Sequence, residues 1–257
     1  METVQRWSTR AADAFRRDSQ AWGIPRRQAK LLALLPLILA VAVAATVPFK
    51  EFYLWLVDED HPIEWLQFAC LVAAIVFLGF LAFRLYRRGQ KGMAVLYAVI
   101  TVGVVFLAGE EISWGQRIFG WQTPASLEAI NRQDETNLHN IRGVQEFVPA
   151  AMLVASLYGA CAPLVAAWLG ERWKSVASKR LLVPPLCLVP AFLLAAAYRL
   201  FRLLIWPEPT FVISEYGEVL ELTLYFGLAA FSWFNVRHLL EAQPTVRAVR
   251  HRVPRTP

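Results

Sequence analysis

Two adjacent acidic side chains stand where the sequence changes from apolar to polar. Glu110 and Glu111 follow the apolar run VLYAVITVGVVFLA, within the stretch GEEISWGQRIF at residues 109–119. Carboxylates at the edge of a hydrocarbon layer are costly when they stay charged and unpaired. The stretch therefore predicts a positive partner close to these side chains, which is either a bound cation or an arginine.

Three more glutamates recur on one face of a later apolar segment. In the stretch SEYGEVLEL, Glu215, Glu218 and Glu221 follow one another every three residues. With about 100° of rotation per residue, the three fall within an arc of about 120° on a helix. A helix that begins near residue 213 places Glu221 roughly one to two turns inside the membrane.

A third stretch, TPASLEAINRQDETNLHNIRG, adds a histidine. Thr123 is a candidate N-cap and Pro124 suits the first helical position. Glu135 and His139 then lie four residues apart, on one face of the same helix. The pattern predicts an amphipathic helix that caps the outer mouth of a helix bundle.

Carboxylate oxygens together with one imidazole are typical ligands of Zn²⁺, Mn²⁺ or Fe²⁺, whereas an oxygen-only set suits Ca²⁺ or Mg²⁺. The spacing Glu-x-x-x-His differs from the Glu-x-x-His of di-metal helix bundles. The sequence contains no HExxH motif and no paired-cysteine motif. The predicted ligands of a divalent metal are Glu110, Glu135, His139, Glu218 and Glu221.

Such a metal would polarise an ester, amide or phosphoryl oxygen, or activate a water molecule, whose pKa a bound Zn²⁺ lowers to about 7. Glu111 is the candidate general base, and Arg117 is the candidate partner of a headgroup phosphate. These assignments predict a metal-dependent hydrolase or transferase that acts on a lipid or a lipid-linked substrate at the outer leaflet.

Two other interpretations use the same residues. Intramembrane carboxylates also mark proton and cation pathways, which predicts a proton- or cation-coupled transporter or channel. Alternatively, the glutamates form an interhelical ion-pair network in a non-catalytic membrane scaffold. The arginines available for that network are Arg117, Arg132, Arg142, Arg199 and Arg202.

The apolar segments that position these residues have the length of membrane spans. The chain of 257 residues is 57% hydrophobic, with a mean hydropathy of +0.41. An α-helix needs about 20 apolar residues to cross the hydrocarbon core. We therefore predict an all-α bundle of six transmembrane helices. The six segments are about 31–49, 62–83, 93–112, 144–169, 181–203 and 212–235.

Most of the 26 Lys and Arg residues precede the first span, follow the last, or lie in the connections between spans two and three and spans four and five. The positive-inside rule then places both termini in the cytoplasm and the glutamates at the outer side. The net charge of +6 thus reflects topology and does not indicate nucleic-acid binding. We expect a multi-pass protein of the bacterial inner (plasma) membrane, with its site facing the periplasm or exterior and membrane lipids as its surroundings.

The sequence divides into three parts. Residues 1–29 form a cytoplasmic amphipathic arm, in which Phe15 and Trp22 belong to an apolar stripe and Gly23 ends the helix. Residues 30–236 form the transmembrane domain, including an outer re-entrant or capping segment at 109–143. Residues 237–257 form a basic cytoplasmic tail.

The motifs GEEISWGQRIFGW, NRQDETNLHN and EYGEVLEL together resemble a pattern of bacterial multi-pass membrane proteins to which no activity is assigned. The resemblance covers roughly residues 105–145 and 212–225. A looser similarity is to the alkaline-ceramidase-like membrane hydrolases, which hold zinc between helices with His and Asp. Their several-histidine pattern is missing here, because His139 is the single histidine of the candidate cluster. That similarity implies only that metal-dependent hydrolysis can occur at a membrane face.

Overall fold

The computed structural model describes residues 2–124, 136–137, 141, 147–170, 179–207 and 210–241, with backbone only for 2–8, 117 and 179. These parts of the chain are α-helical and contain no β-strand. The α-helices of the described residues are α1 (Glu2–Ala21), α2 (Arg26–Ala44), α3 (Lys50–Val57), α4 (Pro62–Arg87), α5 (Lys91–Glu111), α6 (Gln116–Phe119), α7 (Phe147–Leu169), α8 (Lys179–Leu182), α9 (Val189–Leu204) and α10 (Phe211–Glu241).

Six helical segments are long and apolar enough to cross a membrane, which confirms the prediction of an all-α bundle with six spans. Their bounds are Arg26–Ala44, Lys50–Arg87, Lys91–Glu111, Phe147–Leu169, Arg180–Leu204 and Phe211–Glu241. The placement of the termini in the cytoplasm and the choice of membrane stay predictions.

The bundle has two ends. Hydrogen bonds between residues that are far apart in the sequence show which residues lie at each end. At the arm face, Arg88 Nη2 donates to the carbonyl of Leu239 (3.0 Å) and Arg237 Nη2 donates to the carbonyl of Trp22. At the opposite end, the glutamate face, the Tyr53 hydroxyl donates to the carbonyl of Val212 (2.6 Å). The arm face comprises residues 21–26, 84–94, 180–186 and 237–241, and the glutamate face comprises residues 44–62, 109–124, 204–207 and 210–214.

The first connection at the glutamate face differs from the sequence-based expectation. The stretch KEFYLWLVDEDHP joins the first two predicted spans, and its aromatic residues and acidic tip predict an outer loop. In the structure Lys50–Val57 is helical, and the non-helical residues 58–61 separate it from α4. Tyr53 and Val57 are buried in a small cluster with Val219 and Leu222 of α10. This burial against α10 stabilises a helix of eight residues, which is too short to be stable by itself in water.

Helix α1 is packed onto the bundle at the arm face. Phe15 contacts the main core, and Trp22 and Ile24 are buried in it. Trp22 lies edge-on against Phe231 of α10, with 6.4 Å between ring centroids. The helix ends at Ala21, and Gly23 takes the left-handed conformation (φ +62°) that ends helices. The predicted amphipathic helix of the arm is therefore present, with its apolar stripe against protein.

The prolines of the fifth span interrupt its helix. After α8 the chain is extended at Pro184 and Pro185, forms a short 3₁₀ turn over Leu186–Leu188, and continues as α9. The first N–H group of that turn has no partner within its own helix. Asp18 of α1 supplies the acceptor, since its Oδ2 lies 2.7 Å from the nitrogen of Leu186. A carboxylate from one helix thus caps the broken start of another.

Candidate carboxylate site

The end of α5 forms a tight left-handed turn that holds Glu110. Ser113, Trp114 and Gly115 have φ angles of +46°, +55° and +90°. Such angles are unusual for residues other than glycine, and they reverse the chain so that the Trp114 indole lies against Gly109. A Cβ atom at Gly109 would come within 3.0 Å of that ring. The indole Nε1 donates to Glu110 Oε1 at 2.6 Å, and Glu110 is 4% exposed.

Glu111 points to the last helix. The hydroxyl of Tyr225, which is 2% exposed, donates to Glu111 Oε1 at 2.9 Å. Tyr225 lies seven residues after Glu218, two helical turns along the same face of α10. The two adjacent glutamates are therefore held by different aromatic donors, one from the turn that follows α5 and one from α10.

Glu218 is held by an amide from α4. Gln67 is fully buried, and its Nε2 donates to both the carbonyl oxygen of Glu218 (2.7 Å) and its carboxylate Oε2 (3.0 Å). No donor among the described residues lies within hydrogen-bond distance of Gln67 Oε1. A buried acceptor without a donor is costly, so this amide oxygen is suited to a proton donor or a small cation.

Glu221 forms an ion pair that the structure describes. Arg199 Nη2 of α9 contacts Glu221 Oε1, and the same nitrogen lies 3.0 Å from the sulfur of Met152 in α7. The two side chains are 14% and 19% exposed, so water screens the pair weakly. The other arginine of that turn, Arg202, donates instead to the hydroxyl of Tyr198 (3.0 Å).

The acids form one cluster, which we call the carboxylate cluster and define as Glu111, Glu218 and Glu221. Glu218 interacts electrostatically with both other members and with Glu215, one turn nearer the glutamate face. Glu215 in turn interacts with Asp58 in the connection before α4. The helices α4, α5, α9 and α10 therefore meet around these acids, and their described donors include the hydroxyl of Tyr225 at Glu111 and the amide of Gln67 at Glu218.

A narrow cleft reaches the cluster from the glutamate face. Its volume is about 10 Å³, which is about the space that one water molecule needs. Glu111 lies in its wall, together with Asp60 and Glu64 from the start of α4. The remaining lining residues are Trp65, Phe68, Ile112 and Ile118. The cleft combines acidic walls with a width suited to water or a small cation.

The structure thus brings together three of the predicted site residues and separates a fourth. Glu111, Glu218 and Glu221 share the cluster, whereas Glu110 is held by Trp114 in the turn after α5. Glu135 and His139, with most of the predicted capping helix, lie outside the described residues, and so does the side chain of Arg117.

One contact of the capping segment is described. The backbone nitrogen of Thr136 donates to Gln116 Oε1 at 2.5 Å, and Asn137 is 1% exposed. Gln116 Nε2 also donates to Thr123 Oγ1 at 2.9 Å. Thr123 and Thr136 are therefore both bound to Gln116 in α6, five residues after Glu111.

A metal centre is not formed by the described residues alone. Among them, no group of three or more His, Cys, Asp or Glu side chains has an arrangement that would hold a metal ion. The predicted metal site therefore depends on Glu135 and His139.

Sequence reasoning missed the partners of the glutamates. Gln67 is a single amide inside the apolar stretch IEWLQFACLVAAIV, and a polar residue at that depth is itself a signal of a site. Tyr225 carries the signal of a seven-residue spacing from Glu218. Trp114 follows the end of an apolar segment, a position that predicts an interfacial aromatic belt, whereas its indole donates to Glu110. Nothing in the sequence shows which glutamate each of these residues contacts.

No protein-family model matches the chain, and no curated protein or solved structure matches it either. The fold and the site therefore define its class. It is an α-helical membrane protein with six candidate spans and a carboxylate cluster between four of its helices.

Proposed function

We propose that the protein is a cation-coupled membrane carrier whose carboxylate cluster binds a proton or a small monovalent cation. One observation carries the proposal. Glu218 lies among Glu111, Glu215 and Glu221, and its hydrogen-bond partner among the described residues is the neutral amide of Gln67. Several carboxylates in an apolar bundle need added positive charge, because uncompensated charges there are costly.

The surroundings of Glu218 support an exchangeable cation. Arg199 forms its described ion pair with Glu221, and the described donor to the Glu218 carboxylate is the neutral amide of Gln67. The oxygen of the Gln67 amide offers a further ligand next to the Glu218 carboxylate. Oxygen atoms of carboxylate and amide groups are the ligands that hard cations prefer.

The cleft supports access from the glutamate face. Its volume of about 10 Å³ admits a water molecule or a small ion and excludes a lipid headgroup. Asp60 and Glu64 give its entrance negative charge, which raises the local concentration of cations. Through this cleft a proton or a dehydrated cation reaches Glu111, the member of the cluster that lines it.

Flux measurements on the variant Glu218→Gln test this proposal. The purified full chain is reconstituted in liposomes, and an imposed proton, Na⁺ or K⁺ gradient is followed with ion-sensitive dyes. We expect wild-type flux of one of these ions and a decrease of about tenfold in Glu218→Gln, which corresponds to about 1.4 kcal/mol of lost interaction free energy. The amide keeps the shape of the side chain but removes the exchangeable charge.

Glu241→Gln is the matched control. Glu241 lies on the same helix at the arm face, pairs with Arg237 at 3.4 Å and is 60% exposed. We expect this variant to keep the wild-type flux. The proposal is wrong if the wild-type protein carries none of the three ions, or if Glu218→Gln carries the same flux as wild type per folded molecule.

A second candidate function, a metal-dependent hydrolase or transferase for lipid-linked substrates, rests on the contact at Gln116. This contact fastens Thr136, the residue after the predicted ligand Glu135, to the chain near Glu111. A metal held by Glu135, His139 and the neighbouring glutamates would supply the Lewis acid, with Glu111 as general base and Arg117 for the phosphate.

Metal analysis of the purified protein tests this second candidate. We expect stoichiometric Zn, Mn or Fe in the wild-type protein and its loss in His139→Ala, together with loss of hydrolysis of a lipid-linked ester or phosphate. Absence of a stoichiometric metal in the wild-type protein would contradict it. That result leaves the flux experiment unaffected, so the two functions are tested separately.

A further inference from the structure

A cavity of about 640 Å³ lies at the arm face, far along the bundle from the carboxylate cluster. Its walls come from α1, from the end of α7 and from the segment that begins at α8. Ligand sites in proteins usually have volumes of about 300–1,000 Å³. The cavity is thus large enough for a small organic anion or the headgroup of a lipid.

Two arginines give the cavity positive charge. Arg17 of α1 lines it, is exposed, and has no ion pair among the described residues. Arg180 lines the other wall and is half-buried. Asp18 is the acid of the lining, and its Oδ2 accepts the hydrogen bond from the N–H group of Leu186. The lining thus holds two guanidinium groups and one carboxylate, which accepts from the backbone and also interacts electrostatically with Arg180.

The position of Arg180 is fixed by its neighbours. Its Nη1 lies 3.1 Å from Nδ1 of His238, and its guanidinium stands 6.0 Å from the ring centroid of Trp22. A guanidinium held against an aromatic ring keeps its N–H groups in a defined plane. Such a group is suited to bind two oxygens of one phosphate.

The opposite wall is apolar and lies at the surface of the bundle. It includes Pro163, Ala166 and Ala167 of α7. Ala167 is exposed, and the next residue, Trp168, is 83% exposed. In a membrane-spanning helix such exposed apolar residues face lipid, so the cavity combines a charged wall with a wall next to the bilayer.

We infer that this cavity is a binding site for a phosphate-bearing anion, held by Arg17 and Arg180. The chemistry is that of a phosphate group next to an apolar surface, and its source is either a lipid headgroup or a soluble phosphate ester. Basic pockets between membrane helices are suited to anionic headgroups, since each Lys or Arg near the surface contributes about 1 kcal/mol. This site is independent of the carboxylate cluster and of the function proposed for it.

Binding of phosphatidylglycerol to the purified full chain tests the site. Native mass spectrometry in a non-ionic detergent compares this lipid with zwitterionic phosphatidylcholine, and sn-glycerol phosphate serves as the soluble competitor. We expect preferential binding of phosphatidylglycerol and about fivefold weaker binding in Arg17→Gln, as expected for the loss of one surface arginine. If sn-glycerol phosphate displaces the lipid, a soluble phosphate ester is sufficient for binding. If it does not, the bound phosphate group is that of a lipid headgroup.

Two further variants make the result specific. Arg16→Gln removes the same charge from the adjacent position, which pairs with Asp13 at 3.2 Å and does not line the cavity, and we expect wild-type binding. Ala166→Phe narrows the cavity at its apolar wall without changing the charge, and we expect weaker binding. Equal weakening by Arg16→Gln and Arg17→Gln, or unchanged binding in Ala166→Phe, overturns the inference.

Discussion

Replacement of Arg199 by methionine is expected to lower the free energy of unfolding by about 3–5 kcal/mol. The substitution leaves the Glu221 carboxylate in a weakly hydrated position without the guanidinium that now contacts it. It also removes the contact of that guanidinium with the sulfur of Met152. An unpaired buried charge is the dominant cost, because the attraction that offset its desolvation is lost.

A double-mutant cycle separates this charge effect from loss of packing. We expect the double variant Arg199→Met with Glu221→Met to recover most of the lost stability, since removal of both partners leaves no uncompensated charge. Unfolding of detergent-solubilised protein by a denaturant provides the measurement. If the double variant is as unstable as Arg199→Met, the pair does not act as a unit.

Arg202→Met is the matched control for this prediction. Arg202 lies on the same helix and donates to two neutral oxygens, the hydroxyl of Tyr198 and the carbonyl of Pro207. Its loss leaves no carboxylate behind among these partners, so we expect a smaller destabilisation of about 1 kcal/mol. Comparable losses in the two variants would show that Arg199 matters for packing and not for its charge.

The second large effect concerns Asp18 and the packing of α1. Burial raises the pKa of Asp18 from 3.8 to about 6, against the opposing effects of the hydrogen bond from Leu186 and the positive charge of Arg180. The difference between these pKa values corresponds to about 3 kcal/mol. We therefore expect Asp18→Asn to stabilise the packed arm by about 2–3 kcal/mol at pH 7. The asparagine oxygen can still accept the hydrogen bond.

The direction of the pH dependence follows from proton binding. Below about pH 4 the carboxyl of Asp18 is protonated whether α1 is packed or not, and burial of the neutral group carries no charge penalty. Between about pH 4 and pH 6 the packed state still binds the proton and the unpacked state releases it, so the stability of the wild-type packing falls as the pH rises. Above about pH 6 this contribution is constant.

The free energy of unfolding of wild type and of Asp18→Asn, measured from pH 4 to pH 7, checks this prediction. The difference between the two proteins isolates Asp18, because the titration of all other acids contributes equally to both. Asp13→Asn is the control, because Asp13 lies on the same helix, is half exposed and pairs only with Arg16 among the described residues. A stability difference between wild type and Asp18→Asn that does not change with pH would contradict the assignment. So would an equal pH effect in Asp13→Asn.

On one face of α10, Glu221 forms an ion pair with Arg199 and Glu218 accepts a hydrogen bond from the Gln67 amide, so the two acids have different surroundings. Under the proposed function, Glu221 stays paired with Arg199, while Glu218 binds and releases the cation beside Gln67. The turn of three left-handed residues after α5 places Trp114 over Gly109, and the Trp114 indole donates to Glu110.

The sequence by itself determined the number and approximate bounds of the six spans. Six apolar segments of suitable length can bury their backbone polar groups in a membrane only as helices, so composition and length were sufficient. The helix in the arm was also visible, because amphipathic spacing acts locally. The prolines of the fifth span, at which its helix is interrupted, likewise stand in the sequence. The helix Lys50–Val57 was not visible, since its stability comes from packing on α10.

Only the tertiary structure decided what holds each glutamate. Sequence patterns placed Glu111, Glu218 and Glu221 at similar depth, but left open whether a cation or an arginine stands among them. Their partners come from other helices: Tyr225 is 114 residues from Glu111, and Gln67 is 151 residues from Glu218. The rotation of each helix about its axis sets such pairs, and that rotation depends on the packing of the whole bundle. An arginine is found at Glu221, and a neutral amide at Glu218.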